Sequence, residues 1–104
     1  MAALTITTEN YQREVMESQS PVLLDFWAPW CGFCKGVGAA VEELAAEQSE
    51  VKIGKVNIDE QAELAKQFRI ISIPTLILIK DGVVVNRIVG AMPKTQIEKM
   101  IKNV

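Results

Sequence analysis

The stretch Trp30-Cys31-Gly32-Phe33-Cys34-Lys35 constrains this chain more than any other. It holds the only two cysteines, and it joins two segments of different period. Before it, residues 22–28 (Val-Leu-Leu-Asp-Phe-Trp-Ala, opened by Pro21) are almost continuously hydrophobic, as in a strand covered on both faces. After it, residues 35–48 read as a helix with Val37, Val41, Leu44 and Ala45 on one stripe. A strand that feeds a helix through Cys-x-x-Cys places the first sulfur at a helix N-terminus. The free backbone N–H groups and the helix dipole there favour a thiolate. The second sulfur lies one turn in, within reach of a small disulfide ring.

Three chemistries compete for such a pair. Zinc usually takes four ligands, and with no histidine and no third cysteine a metal is not expected. A purely structural disulfide gains little from so short a loop, because its stabilisation grows with loop length. A reversible dithiol/disulfide pair needs only the two sulfurs and their junction, and it is the favoured reading.

The remaining segments supply the frame. Leu4-Thr5-Ile6 is a short β segment. Thr8 is a candidate N-cap for a helix through Ser18, with Tyr11 and Val15 on one face. Residues 51–58 form the next strand, and Asp59 can cap a helix containing Leu64, Ala65 and Phe68. Thr75-Leu76-Ile77-Leu78-Ile79 is a second buried strand. Asp81-Gly82 is a hairpin turn signal, and residues 83–89 follow as the antiparallel partner. Pro93 suits the first turn of a last helix, with Ile97, Ile101 and Val104 along one face. The predicted order is βαβαβαββα. Crossovers require parallel pairing early and the hairpin requires antiparallel pairing late. The expected fold class is therefore α/β, a mixed central sheet with helices on both faces. The cysteine motif sits at the C-terminal end of a strand, where such sheets place their sites.

Bulk properties exclude several classes. A chain of 104 residues suits one domain spanning 1–104. With 49% hydrophobic and 23% charged residues it is not a disordered chain, and a net charge of −2 gives no footprint for nucleic acid. No apolar run approaches the ~20 residues of a membrane span. Met1-Ala2-Ala3-Leu4-Thr5 lacks the basic and apolar regions of a signal peptide. The expectation is a cytoplasmic monomer, in a compartment where a disulfide is usually catalytic. No nucleotide- or flavin-binding motif is visible, so no cofactor is expected and electrons have to come from a partner.

Several landmarks together resemble the thioredoxin family. They are Asp25-Phe26-Trp27-Ala28-Pro29-Trp30-Cys31-Gly32-Phe33-Cys34-Lys35, Lys55-Val56-Asn57-Ile58-Asp59, Ser72-Ile73-Pro74-Thr75, Lys80-Asp81-Gly82 and Val89-Gly90-Ala91. The resemblance covers essentially the whole chain. It implies a thioredoxin fold and a protein-disulfide oxidoreductase, a dithiol electron carrier that reduces disulfides in diverse proteins. A separate thioredoxin reductase-type donor would recycle it. By resemblance Cys31 is the exposed nucleophile and Cys34 the resolving thiol. Trp30, Gly32, Phe33, Ile73, Pro74, Gly90 and Ala91, with Met92, would form the substrate face.

Individual residues keep two readings. Asp25 is either a strand-end aspartate facing water or a buried acid of raised pKa that exchanges a proton with Cys34. Lys55 is either its partner or a snorkelling surface lysine. Pro74 is either a trans proline opening a strand or, as the resemblance implies, part of a cis bond that sets the Ile73 backbone against an extended substrate. Trp27 and Trp30 are either core aromatics or, by resemblance, the floor and rim of the site. Two departures from the family stand out: Phe33 occupies the place of a usual proline, and Ala39 falls near a usual helix proline. The same site run backwards would make an oxidase or isomerase. A rival from another class is a thioredoxin-fold interaction module, against which the intact cysteine pair, Asp25 and Pro74 argue.

Overall fold

The structure, a computed structural model, describes residues 2–104. The elements follow the predicted order. Strand β1 spans Leu4–Thr5 and is followed by a helical segment, Gln12–Met16; then come β2 (Val22–Trp27), α1 (Phe33–Glu47), β3 (Lys52–Asn57), α2 (Ala62–Gln67), β4 (Thr75–Lys80), β5 (Val83–Val89) and α3 (Lys94–Lys102). The strands form one sheet in the order β1-β3-β2-β4-β5. β1 and β2 run parallel to β3, whereas β4 runs antiparallel to both β2 and β5. The mixed sheet expected from crossovers and a hairpin is present.

Strand periodicity divides the core into two layers. Leu23, Ile53, Leu76 and Leu78 face α1 and α3, where they meet Val37, Val41, Leu44, Ile97, Met100 and Ile101. The alternate residues Val22, Leu24, Phe26, Val56, Ile77 and Ile79 face the other way, onto Val15, Leu64 and Phe68. Both faces of β2 and β4 are thus dry, which is why their sequences are apolar without a break. At the middle of the β1–β3–β2 array stands Gly54, directly beneath the fully buried Ile6. A Cβ there would lie 2.5 Å from Ile6 Cγ1, so only glycine fits.

The hairpin turn has two residues, since Lys80 pairs with Val83. Asp81 (φ 53°) and Gly82 (φ 78°) both take the left-handed conformation that such a turn needs. On β5 the register jumps, with Leu78 opposite Asn86 but Ile79 opposite Val84, so Val85 is an extra, bulged residue.

Three local expectations are corrected. Thr8 does not cap a helix. Thr7 and Asn10 bond to each other's backbone N–H, while Thr8 binds Gln61 Oε1, and the helical segment begins only at Gln12. It is a π-helical turn, with Glu17 N–H donating to Gln12 O. Asp59 does not cap α2, which starts three residues later with Gln61 at the N-cap position. Pro93 stands just before α3 rather than in its first turn, and Val104 lies past the helix end, partly exposed, while Met100 fills the core beside Ile97 and Ile101. Despite the missing proline, α1 runs as one helix through Ala39.

Candidate active site

β2 ends at Trp27, and the chain turns at once. Cys31 N–H donates to Ala28 O (3.1 Å), Cys34 N–H to Cys31 O (3.3 Å) and Lys35 N–H to Gly32 O (3.3 Å), a tight turn that opens directly into α1. Cys31 precedes the N-cap residue Gly32, and Cys34 sits in the first helical turn, as expected. The sulfurs are disulfide-bonded, with Cα atoms 5.4 Å apart. Cys34 N–H also points at Cys31 Sγ, 3.2 Å away. A first-turn amide thus faces the first sulfur, the arrangement that stabilises a thiolate when the bond is reduced. Cys31 is less open than expected of an exposed nucleophile. Only 7% of it is accessible, because Ala28, Trp27, Ile58 and Ile73 pack around the pair.

The rim is assembled from separated parts of the chain. Ile73 O lies 3.9 Å from Cys31 Sγ. The Ile73–Pro74 bond is cis, Pro74 is buried, and Pro74 O accepts from Gly90 N–H (2.8 Å). Ile73 precedes β4, and its backbone groups join no ladder among the described residues. Trp30 (68% accessible) and Phe33 (76%) project into solvent, with Gly32 and Ala91 exposed and Gly90 half-buried. Trp30, Gly32 and Phe33 adjoin the cysteines in sequence and Ile73 packs against them; Pro74 follows Ile73, Gly90 bonds to Pro74, and Ala91 is next in the chain. Trp27 is half-buried, and Met92 packs into the α1–α3 layer.

Two residues before the end of β2 stands a buried carboxyl. Asp25 shares the α1-facing side of β2 with Leu23 and has no accessible surface; neither oxygen has a hydrogen-bond partner among the described residues. Desolvation pushes its pKa up to about 7, while the Lys55 ammonium pulls in the opposite direction. Lys55 stands opposite Asp25 in the β2–β3 register, so both side chains rise from the same face. It is half-buried, with Nζ 5.1 Å from the centre of the Trp27 ring. Of the two readings of Asp25, the geometry gives the buried acid; Lys55 stands in register with it but makes no ion pair with it within 4 Å among the described residues. A cleft of about 290 Å³ runs beside both cysteines, walled by Trp27, Pro29, Gly38, Ala39 and Lys55. Larger hollows of about 460 and 490 Å³ flank α3, away from the sulfurs, and contain neither cysteine nor buried acid.

One neighbour escaped the sequence reading. Asp59 accepts the Trp30 indole N–H at 3.2 and 3.1 Å with its two carboxylate oxygens, tying the exposed ring to the loop after β3. An aspartate before a helix looks like a cap, and no local signal links it to a tryptophan 29 residues earlier.

A Cys-x-x-Cys disulfide at the start of a helix, at the end of the central strand of a mixed sheet, makes this a thiol–disulfide oxidoreductase. The comparisons agree: the family model for thioredoxin matches residues 2–103. The chain is 51% identical to "Thioredoxin 1" of Synechococcus elongatus over 89% of its own length and 88% of the relative's. It is 44% identical to "Thioredoxin 1" of Nostoc sp. (97% and 95%) and 48% identical to "Thioredoxin" of Haemophilus influenzae (94% and 92%). The chain belongs to the thioredoxin family.

Proposed function

We propose that this chain reduces disulfides in other proteins, with Cys31 as nucleophile and Cys34 as resolving thiol. In the reduced protein the Cys31 thiolate attacks one sulfur of the substrate disulfide. A Cys31–substrate bond forms, and the other substrate sulfur leaves as a thiolate. Cys34 then gives up its proton to Asp25 and attacks Cys31 Sγ. The Cys31–Cys34 disulfide forms, the substrate's second thiolate leaves, and two electrons have moved. A carboxyl whose pKa lies near 7 suits that proton exchange, since it can both take and return a proton near neutrality. Lys55 keeps its ionised form accessible.

Trp30, Gly32, Phe33, Ile73, Pro74, Gly90 and Ala91 form the docking face. The free Ile73 backbone groups pair with an extended substrate segment, and the apolar rim covers the flanking side chains. A reductase-type donor restores the dithiol. The reading extends to a single domain over residues 1–104, acting as a monomer in the cytoplasm. Among the described residues no helix is long and apolar enough to cross a membrane.

The observation that carries the division of labour is the Cys34 amide aimed at Cys31 Sγ. Cys34→Ser is expected to accumulate a mixed disulfide through Cys31 when mixed with a disulfide-bonded protein, while Cys31→Ser forms no adduct. Mass spectrometry reads both. An adduct through Cys34 in the Cys31→Ser protein reverses the assignment.

A further inference from the structure

Thr75 opens β4 between Phe26 of β2 and Val89 of β5. It has no accessible surface, and with Asp25 it is one of two buried polar side chains among the described residues. Valine would fill the same space in a strand, and a hydroxyl there costs stability unless it is bonded. The Thr75 hydroxyl donates to Ser72 O, three residues back. Threonine often bonds a nearby carbonyl in this way, which by itself only satisfies the hydroxyl. The other edge of the same peptide gives the bond a consequence. We propose that Thr75 is a positioning residue: by holding Ser72 O toward β4 it aims the Ile73 N–H outward, as the donor that meets the backbone of a protein substrate.

The Ser72–Ile73 peptide is trans, since the one cis bond among the described residues follows Ile73. In a trans peptide the C=O and N–H lie in one plane and point in opposite directions. A carbonyl drawn in to the buried Thr75 hydroxyl therefore turns the Ile73 N–H away from it, and that N–H forms no backbone hydrogen bond among the described residues. Pro74 has no N–H, so Ile73 carries the last free donor before β4. The Ile73 carbonyl lies beside Cys31 Sγ at 3.9 Å. A residue before proline favours extended backbone, in which its N–H and C=O point to the same side. Such a residue can exchange both bonds with an antiparallel strand held against the sulfur. Thr75 has no accessible surface, so it acts on the substrate only through this peptide.

The kinetic consequence rests on the docking reading above; the orientation of the peptide does not. Thr75→Val keeps the shape and removes the hydroxyl, whereas Thr75→Ser keeps the hydroxyl. Residual dipolar couplings of the Ile73 N–H in the oxidised protein are expected to change in Thr75→Val and to match wild type in Thr75→Ser. In single turnovers of the reduced protein, Thr75→Val is expected to reduce insulin disulfides about three- to tenfold more slowly, the loss that one hydrogen bond gives. It is expected to reduce 2-hydroxyethyl disulfide, which has no backbone to pair, at the wild-type rate. Thr75→Ser is expected to keep both rates. Unchanged couplings in Thr75→Val overturn the proposal, as does an insulin rate equal to wild type. An equal loss on both disulfides overturns it too, since that marks a general loosening of the site. Failure of the docking reading is separate. It appears with Thr75 intact, as an Ile73 amide that exchanges with solvent as fast in the Cys34→Ser protein trapped on an insulin chain as in the free protein.

Discussion

At Asp25 a carboxyl without a hydrogen-bond partner stands in the dry layer beneath α1, and holding a proton relieves its desolvation. The pH dependence follows. In the unfolded chain the group ionises near 3.8 and in the folded protein near 7. Between those values the folded state keeps a proton that the unfolded state has released, so stability falls as pH rises; above about 7 both states are ionised and the loss is complete. Three units at 1.36 kcal/mol each set a ceiling of about 4 kcal/mol. Asp25→Asn is therefore expected to match wild type in denaturant midpoint at pH 4 and to exceed it at pH 8.5. Equal midpoints at pH 8.5 would show that the carboxyl is hydrated. That strand β2 is covered on both faces was legible from its almost unbroken apolar run. The burial of Asp25 was favoured by the resemblance, but composition alone left a strand-end aspartate facing water open, since burial depends on α1 closing over β2. Asp59 was illegible for a related reason: its partner is fixed by tertiary approach alone.

The strands and the turn at Asp81-Gly82 could be read from period and composition because both faces of the sheet are covered and the turn demands residues of a particular kind. The helix starts were misread where a candidate cap had a better partner across the fold. Gln61 takes the Thr8 side chain, and Trp30 takes Asp59. A cap contributes only about 1 kcal/mol, so one tertiary hydrogen bond suffices to divert it. Phe33 proves to be the first residue of α1, the position in which the family's proline would also fit. The sulfur-facing amide belongs to Cys34, so the departure at Phe33 leaves that contact intact. Gly54 went unremarked in the sequence, where a glycine within a strand signals only weakness. Its neighbour Ile6 explains it. Gly54→Ala is expected to destabilise the protein by about 1–3 kcal/mol through overpacking. In a double-mutant cycle Gly54→Ala with Ile6→Ala should lose less than the sum of the two, as removing the Ile6 side chain clears the clash. Strict additivity in urea unfolding would remove the close approach as the cause.

For the whole molecule, the connection rules gave a mixed sheet with helices on both sides, but not the strand order. Placing β1 outside β3 depends on two residues of pairing plus Ile6 N–H reaching Lys55 O, too little for any periodicity to reveal. At the opposite margin lies β5, with Val83, Val84, Val85 and Val89 all exposed. A row of open backbone groups flanked by valines is a surface on which strands from other copies add end over end into fibres. The bulged Val85 breaks the spacing of that row, so an incoming strand cannot bond along its whole length. Deleting Val85 should restore an even edge. The variant is expected to match wild type in solution when dilute but, at high concentration, to form thioflavin-binding aggregates that wild type does not; a deletion as soluble as wild type would deny the bulge this part. One surplus valine would then be what keeps an open sheet from seeding its own polymer.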